Sequence, residues 1–253
     1  GLDAVSEGEI LTGLKSGIKG ENIVLHGNNK SFNELELAYK NNITIVIDNY
    51  NDILYLKRIA TSNLPANIML RFTPGIECHT HEYIKTGTID SKFGFDFEEI
   101  DEILLKLKEL DYINLIGLHA HIGSQIFELK PHYDLAEIMA EVFLKAKNLG
   151  HDVKDLNIGG GLGVKYVSSD DPPTINDWIQ TISQGLSNAC LKRGLPLPRL
   201  LCEPGRSLIA NAGVTIYQLG AKKYISNLKK TYISVDGGMS DNPRPITYQA
   251  EYS

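Results

Sequence analysis

The 253-residue sequence predicts an α/β protein whose strands form one parallel sheet. Apolar strand-like runs and amphipathic helix-like segments alternate about six times at the spacing of βα units. A cluster of glycines directly follows one of the apolar runs. At this length a TIM-type (β/α)8 barrel is favoured over an open doubly wound sheet, although periodicity alone does not separate the two. Past Asn211 the alternation stops, and strand-like segments follow one another.

The predicted helices rest on apolar residues at helical spacing and on signals at the helix ends. Ser31 followed by Glu34 has the spacing of a capping box, and Gly150 and Gly194 are typical helix stops. The predicted helices cover residues 9–14, 32–40, 52–60, 98–110, 135–149 and 176–194, the last with Asn176 as its cap.

The predicted strands are short runs of branched apolar residues. They cover residues 23–26, 43–47, 67–72, 113–121, 156–158 and 200–203, and later 214–219 and 231–235. Residues 74–93 form a predicted irregular loop, of a length that is usually functional. This division predicts a β/α barrel over residues 1–211 and the start of a β domain over residues 212–253.

Composition and charge exclude several classes of function. The net charge is −6 and no basic run exceeds two residues, which argues against a nucleic-acid partner. No apolar run reaches the length of a membrane span, and no signal peptide opens the sequence. The three cysteines, Cys78, Cys190 and Cys202, are widely separated and odd in number. They favour a reducing, cytoplasmic compartment and argue against a zinc site.

The glycine cluster is a candidate anion site. Glycines at 159, 160, 161 and 163 follow the strand at 156–158, and glycine lets backbone N–H groups approach a bound anion closely. The alternative is a tight strand-to-helix turn, since the loop matches neither the Rossmann nor the P-loop pattern.

Polar residues at the predicted strand ends are further candidates, because these ends meet at one mouth of a barrel. They are Asp3, His26, Asp48, Arg71, His119, His121 and Glu203. An anion cradle combined with a carboxylate, an arginine and imidazoles predicts a phosphorylated, ring-containing cofactor.

His119 and His121 lie two apart on a predicted strand and therefore face the same side. Such a pair could bind a metal, and His79 and His81 repeat the spacing. A metal site needs further ligands at other strand ends, and packed or hydrogen-bonded histidines are the simpler alternative. We predict no metal.

Glu203 ends a predicted strand and is followed by Pro-Gly-Arg, which leaves its carboxylate at the barrel mouth. An exposed acid in a turn is the alternative. The apolar run at residues 200–202 indicates a buried approach, where a carboxylate needs a partner. A pyridinium nitrogen would be a suitable one.

These residues lie in motifs that resemble the fold-type III pyridoxal-phosphate-dependent decarboxylases, and the resemblance covers essentially the whole sequence. The motifs are residues 26–31 (H-G-N-N-K-S), 117–125 (G-L-H-A-H-I-G-S-Q), 159–163 (G-G-G-L-G) and 203–206 (E-P-G-R), with Arg244-Pro245 and Tyr248. Residues 80–87 (T-H-E-Y-I-K-T-G) and 90–94 (D-S-K-F-G) resemble the diaminopimelate branch of the family.

The resemblance implies a role for each matching residue. The phosphate of pyridoxal 5′-phosphate would be held by Gly159, Gly160, Gly161, Ser124, Gly205 and Arg206. His121 would stack on the pyridine ring, and Glu203 would pair with the ring nitrogen. Substrate carboxylates would be bound by Arg206, Arg244 and Tyr248. The loop that contains Lys92 would meet the second subunit of a homodimer with shared active sites.

The sequence departs from the family pattern at its beginning. Residues 1–3 resemble the second strand of the family's barrel, so the first strand and its Schiff-base lysine are expected upstream of residue 1. Neither Lys30 nor Lys222 matches that lysine. The sequence is therefore expected to be a fragment, inactive by itself.

The implied function of the parent protein is decarboxylation of meso-2,6-diaminopimelate to L-lysine, the last step of lysine biosynthesis. A decarboxylase of ornithine, arginine or carboxynorspermidine is the related alternative. A non-catalytic relative that binds only the cofactor or a partner, and a metal-dependent hydrolase built on His119 and His121, are alternatives of other classes.

Overall fold

The computed structural model describes residues 1–76 and 91–252. Seven strands form a parallel sheet in the order β1-β2-β3-β4-β6-β7-β8, and β5 pairs with β4 away from that path. The strands are β1 (Leu2–Ala4), β2 (Ile23–Leu25), β3 (Thr44–Ile47), β4 (Ala66–Thr73), β5 (Phe95–Asp96), β6 (Ile113–His119), β7 (Asp155–Asn157) and β8 (Arg199–Leu201).

Helices connect the strands as the alternation predicts. They are α1 (Glu7–Lys15), α2 (Phe32–Lys40), α3 (Tyr50–Ile59), α4 (Ile100–Lys108), α5 (Lys130–Asn148), α6 (Ile175–Arg193), α7 (Gly205–Ile209) and α8 (Arg244–Thr247). The capping box of Ser31 and Glu34 is present at α2. The helices bury their apolar faces against the sheet, and the predicted α/β class with a parallel sheet is confirmed.

The sheet curls so that its distant strands approach each other. Five strand intervals separate β2 from β8 in the sheet order, which in a flat sheet would amount to about 24 Å. Yet His26, after β2, lies 3.1 Å from Glu203, after β8. The carboxyl ends of the strands therefore surround a common centre. Within the described residues, β1 and β8 are not paired with each other.

Several predicted boundaries are wrong. Helix α6 is capped by Thr174 instead of Asn176, because Thr174 and Asp177 form a capping box. Helix α5 begins at Lys130, with a proline in its first turn, and α4 is shorter than predicted. Strands β6 and β8 each end two residues early, which leaves His121 and Glu203 in the following loops.

The predicted strand at residues 214–219 is also wrong. The chain instead forms an antiparallel hairpin of β9 (Leu219–Ile225) and β10 (Lys230–Val235), whose turn places Lys229 at φ 48°. Val214 and Ile216 are 88% and 86% exposed, so no packing stabilises an extended strand there. The division into two domains at residue 211 stays a prediction. No helix in the described ranges combines the length and apolar character that crossing a membrane requires.

Candidate functional site

Four polar side chains from the strand ends meet at the centre of the curled sheet. His26 Nε2 lies 3.1 Å from Glu203 Oε1 and 3.8 Å from Asp3 Oδ1, and His119 Nε2 lies 3.3 Å from Glu203 Oε1. The His26 and His119 rings touch edge to face, with centroids 5.0 Å apart. Asp3 lies within β1, whereas the other three residues end or follow β2, β6 and β8. Only the curl of the sheet brings side chains from these strands together.

Glu203 is held by three nitrogen atoms. In addition to the two imidazoles, Asn157 Nδ2 donates a hydrogen bond of 2.6 Å to Glu203 Oε1. Burial alone raises the pKa of Glu203, but its contacts with His119 and His26 outweigh burial and hold the pKa below the ordinary value. Burial lowers the pKa of His119, and a neutral imidazole that donates its Nε2–H still stabilises a carboxylate. Glu203 is therefore ionised at neutral pH.

Asp3 faces the same centre and behaves oppositely. Burial, followed by repulsion from Glu203, raises the pKa of Asp3 to about 6. Two neighbouring carboxyls in a buried site resist simultaneous ionisation. The site therefore contains one firmly ionised carboxylate and one acid that is partly protonated near neutral pH.

The glycine loop packs directly against the chain around Glu203. A side chain on Gly160 would overlap the Glu203 carbonyl oxygen, and one on Gly159 would lie 2.7 Å from His121 Nδ1. Gly159 N–H donates to Asn157 Oδ1 at 2.9 Å, and Gly160 N–H donates to His121 Nδ1 at 3.3 Å. Of the three amides predicted to hold a phosphate, two thus bind protein atoms. Of these three amides, that of Gly161 alone has no acceptor among the described residues.

His121 lies between the glycine loop and the centre. Burial lowers its pKa to about 4, so the ring is neutral at pH 7. Its Nδ1 accepts the Gly160 N–H, which assigns the proton to Nε2. A neutral ring held by its edge leaves its face available for stacking on a planar ligand.

Beside the loop lies a cationic group of residues. Arg206 donates from Nε and Nη2 to Ser124 Oγ at 3.1 and 3.0 Å, and from Nη1 to Tyr166 OH at 2.8 Å. The Arg244 guanidinium lies 5.5 Å from the centre of the Tyr166 ring. Its Nε is buried without a hydrogen-bond partner among the described residues. Two guanidiniums on one aromatic ring, one of them with an unused donor, suit an anionic ligand.

The structure does not bring every predicted site residue to this group. Tyr248 is 38% exposed, and the described contacts tie it to Arg244 only through its backbone N–H. Gly205 begins α7 with open space around it. Their roles therefore stay predictions.

Arg71 and Asp48 form a second layer at the strand ends. Asp48 lies 3.4 Å from Arg71 Nη1 and accepts the Gly94 N–H at 2.7 Å. The Arg71 guanidinium and the Lys92 ammonium both lie over the Phe93 ring, at 4.4 and 5.1 Å. The predicted intersubunit segment is thus attached to the site through Asp48.

Sequence reasoning missed two residues of the site. Asn157 lies inside the apolar run that predicts the strand at residues 156–158. A polar residue in such a run, directly before the glycine cluster, is a signal for a side chain at the site. Tyr166 follows the same glycine loop but belongs to none of the motifs. Several predicted features lie outside the described residues: Cys78, His79, His81, the motif at 80–87 and Asp90.

His119 and His121, the pair considered as an alternative metal site, do not belong to the same cluster of side chains in the structure. His119 instead lies with His26 and Glu203, whose ligand atoms are within 4.8 Å of one another. His121 is bound to the glycine loop. Because both cluster imidazoles lie at hydrogen-bonding distance from an ionised carboxylate, the cluster fits an orienting role for Glu203.

The residues present fit a phosphorylated pyridine cofactor. Ser124, Arg206, Arg244 and the Gly161 amide offer donors for a phosphate. Glu203 is an ionised acceptor for a protonated ring nitrogen, and His121 accepts the N–H of Gly160 in the glycine loop. The donors match the charge of a phosphate, and the carboxylate matches the charge of a pyridinium.

Known proteins are similar to this chain in sequence and in fold. Residues 1–210 match the family described as pyridoxal-dependent decarboxylase, pyridoxal binding domain. Diaminopimelate decarboxylase of Synechocystis sp. is 50% identical over the whole chain, and that of Halalkalibacterium halodurans is 43% identical over 99% of it. The crystal structure of the Helicobacter pylori enzyme with L-lysine matches 99% of the chain with a TM-score of 0.89 and 34% identity.

The chain spans only part of these relatives. It covers 55% and 58% of the two bacterial sequences and 61% of the Helicobacter pylori structure. The match of the family model to most of the chain nevertheless shows its family. The chain belongs to the pyridoxal-dependent decarboxylases, with residues 1–210 corresponding to their pyridoxal-binding domain.

Proposed function

We propose that the protein containing this chain decarboxylates meso-2,6-diaminopimelate to L-lysine, with pyridoxal 5′-phosphate as its cofactor. The observation that carries the proposal is the ionised Glu203 in contact with His26, His119 and Asn157. The diaminopimelate decarboxylases that are 50% and 43% identical to the chain support the choice of substrate.

Each part of the site has a task in this reaction. The cofactor, when bound, supplies an electron sink for the electron pair of the broken Cα–CO2 bond. Glu203 maintains this capacity by keeping the ring nitrogen protonated, and the neutral His121 ring supports one face of the pyridine. Arg206 and Arg244 bind the phosphate or a substrate carboxylate, a task that suits planar guanidinium donors.

The lysine that attaches the cofactor in this family is not among the described lysines of the site. Lys30 is buried and paired with Asp52 at 2.8 Å, and Lys92 lies over Phe93 at the edge of the site.

The test uses the protein with whatever sequence flanks these 253 residues in its gene. It is supplied with pyridoxal phosphate and offered meso-diaminopimelate, L-ornithine and L-arginine in separate reactions. We expect L-lysine and CO2 from the first substrate alone, and a loss of about 100-fold or more in kcat for Glu203→Gln. Glu251→Gln, which changes an exposed side chain in the same way, is the matched control.

The other outcomes separate the alternatives. Turnover of ornithine or arginine would assign the protein to another branch of the family. Cofactor binding without turnover of any substrate would favour the non-catalytic relative. Wild-type activity in Glu203→Gln would contradict the proposed role of the carboxylate.

We also propose that the protein is a cytoplasmic homodimer in which the segment around Lys92 meets the second subunit. The attachment of that segment to the site through Asp48 and Gly94 supports shared active sites, and the free thiols of Cys190 and Cys202 suit a reducing compartment. Sedimentation velocity of the wild type and Lys92→Glu tests the dimer, which the charge reversal should weaken.

A further inference from the structure

Asn157 touches both halves of the candidate site. Its side-chain Nδ2 donates to Glu203 Oε1 at 2.6 Å, and its Oδ1 accepts the Gly159 N–H at 2.9 Å. We propose that Asn157 is a positioning residue that links the ring-binding carboxylate to the phosphate-binding loop. The proposal rests on the function proposed above, because it assigns these two groups to one cofactor.

The partners of Asn157 fix the orientation of its amide. An ionised carboxylate can only accept a hydrogen bond, and a backbone N–H can only donate one. The NH2 group of Asn157 must therefore face Glu203, and its carbonyl must face Gly159. Asn157 is 1% exposed, so water does not compete for either contact.

The backbone alone does not position the Glu203 carboxylate. Glu203 N–H donates to Gly159 O at 2.8 Å, which attaches the backbone of Glu203 to the loop. The carboxylate itself lies several rotatable bonds further along the side chain, so its place depends on its side-chain contacts with His26, His119 and Asn157. Asn157 carries no ionisable group, so its donor to Glu203 is present at every pH. Asn157 also makes the shortest of the three contacts.

Two substitutions separate the two contacts of Asn157. Asn157→Asp keeps an oxygen for the Gly159 N–H but replaces the donor to Glu203 with a second carboxylate. Asn157→Ala removes both contacts. Asn114→Asp is the matched control, since Asn114 Nδ2 donates to Asn67 Oδ1 at 2.9 Å in an exposed pair near the amino ends of β6 and β4.

The first measurement needs no cofactor and follows Gly159 and Glu203 by NMR. We expect the Gly159 amide to exchange about 10-fold faster in Asn157→Ala, and near the wild-type rate in Asn157→Asp. In Asn157→Asp the Glu203 carboxyl should titrate at a higher pH than in the wild type, because two adjacent carboxylates share a proton. Unchanged Gly159 exchange in Asn157→Ala, or unchanged Glu203 titration in Asn157→Asp, would overturn the proposal.

The second measurement titrates pyridoxal phosphate into the full protein and follows cofactor absorbance. We expect Asn157→Asp to bind about 10-fold more weakly or worse, with a changed pH dependence of the absorbance, and Asn114→Asp to match the wild type. Wild-type protein that binds no pyridoxal phosphate would overturn the proposed function and, with it, the assignment of Asn157 to a cofactor. If Asn157→Asp binds pyridoxal phosphate as tightly as the wild type does, the inference about Asn157 is overturned while the proposed function stands.

Discussion

Lys30 and Asp52 form an ion pair beneath the candidate site, with 2.8 Å between Nζ and Oδ2 and both side chains 2% exposed. Asp52 Oδ2 also accepts the Asp48 N–H at 2.9 Å, and Asp48 in turn contacts Arg71. Burial raises the pKa of Asp52 even though Lys30 lowers it. The pair therefore connects the loop after β2 with the strand ends that carry Arg71.

We predict that Lys30→Met lowers the free energy of unfolding by about 3 kcal/mol or more. Methionine fills the space of the lysine stem but leaves the carboxylate of Asp52 buried without its counter-charge. Urea unfolding at pH 7 measures the loss.

Lys40→Met provides the control for this experiment. Lys40 pairs with Glu36 at 2.9 Å on the surface of α2, with 62% of the lysine side chain exposed. An exposed pair contributes about 0–1 kcal/mol, so the two variants should differ clearly. Equal losses would contradict a special role for burial at Lys30.

Single residues were predictable from the sequence where they ended an apolar strand. Glu203, His26 and His119 were identified in this way. The partner of Lys30 was not predictable, because Asp52 lies in the first turn of α3, where an acidic residue is common at a helix start. Burial decides its role, and burial of a polar residue is not visible in a local pattern.

Among the elements, α6 shows how strongly a helix depends on its first residues. Thr174 Oγ1 accepts the Asp177 N–H at 3.1 Å, and Asp177 returns a contact to the Thr174 N–H at 3.4 Å. The helix ends at Gly194 with φ 64°. It buries Trp178 completely, so its starting point sets the packing against α5.

We predict that Thr174→Ala lowers the free energy of unfolding by about 1 kcal/mol, because an N-terminal amide loses its acceptor. Thr181→Ala makes the same chemical change inside α6 and should stay within about 0.5 kcal/mol of the wild type, since alanine favours a helix interior. Thermal unfolding of both variants gives the comparison. A larger loss for Thr181→Ala would contradict the capping argument.

Element prediction succeeded where the signal was local and unambiguous. The start of α2 was predictable because Ser31 and Glu34 form a capping box that the local sequence shows. At the start of α6, Thr174 and Asn176 are both suitable N-cap residues. The contacts of Asp177 with Thr174 decide between them. Residues 214–218 have the composition of a strand but no strand partner among the described residues, whereas Leu219 pairs with Val235. Pairing with residues 230–235 shifts the observed strand towards 219–225.

At the scale of the whole molecule, buried histidines make stability depend on pH. Burial lowers the pKa of His121 and of His132 from 6.5 to about 4, and lowers the pKa of His119 and His151 in the same direction. Between pH 6.5 and 4 the unfolded chain therefore binds more protons at these residues than the folded chain does. Acidification through this window favours unfolding.

Asp3 acts in the opposite direction over part of the window. Its pKa of about 6 in the folded chain, against 3.8 for an ordinary aspartate, lets the folded state bind a proton earlier. This offsets one histidine, and the raised pKa of Asp52 acts in the same direction as that of Asp3. The lowered pKa values of His119 and His151 act against both aspartates, which leaves an imbalance of about one proton. We predict that the free energy of unfolding falls by about 1.4 kcal/mol or more per pH unit between pH 6 and 4.5.

Urea unfolding at several pH values measures this slope. His132→Leu should reduce it by about 1.4 kcal/mol per pH unit, because both ring nitrogens of His132 are buried without hydrogen-bond partners among the described residues. Stability that rises on acidification from pH 6.5 would contradict the prediction, as would an unchanged slope in His132→Leu.

The sequence predicts the strands that carry Asp3, His26 and Glu203, but it does not predict how close these three side chains lie to one another. Alternation of strands and helices predicts a parallel sheet, but an open sheet would keep β2 and β8 far apart. The curl that brings them together depends on strand twist and stagger accumulated over the whole sheet. Residue spacing carries little of that information.

The contact between Gly160 and the Glu203 carbonyl oxygen also limits how this chain can evolve. Every base change that replaces a glycine codon with another amino acid adds a Cβ, and at Gly160 that atom would overlap backbone. A flexible neighbour could move aside, but a carbonyl group anchored beside the strand ends cannot. Gly205, with open space around it, is free of this restriction. Steric overlap with backbone therefore opposes every one-base substitution of Gly160, whereas it opposes none at residue 205.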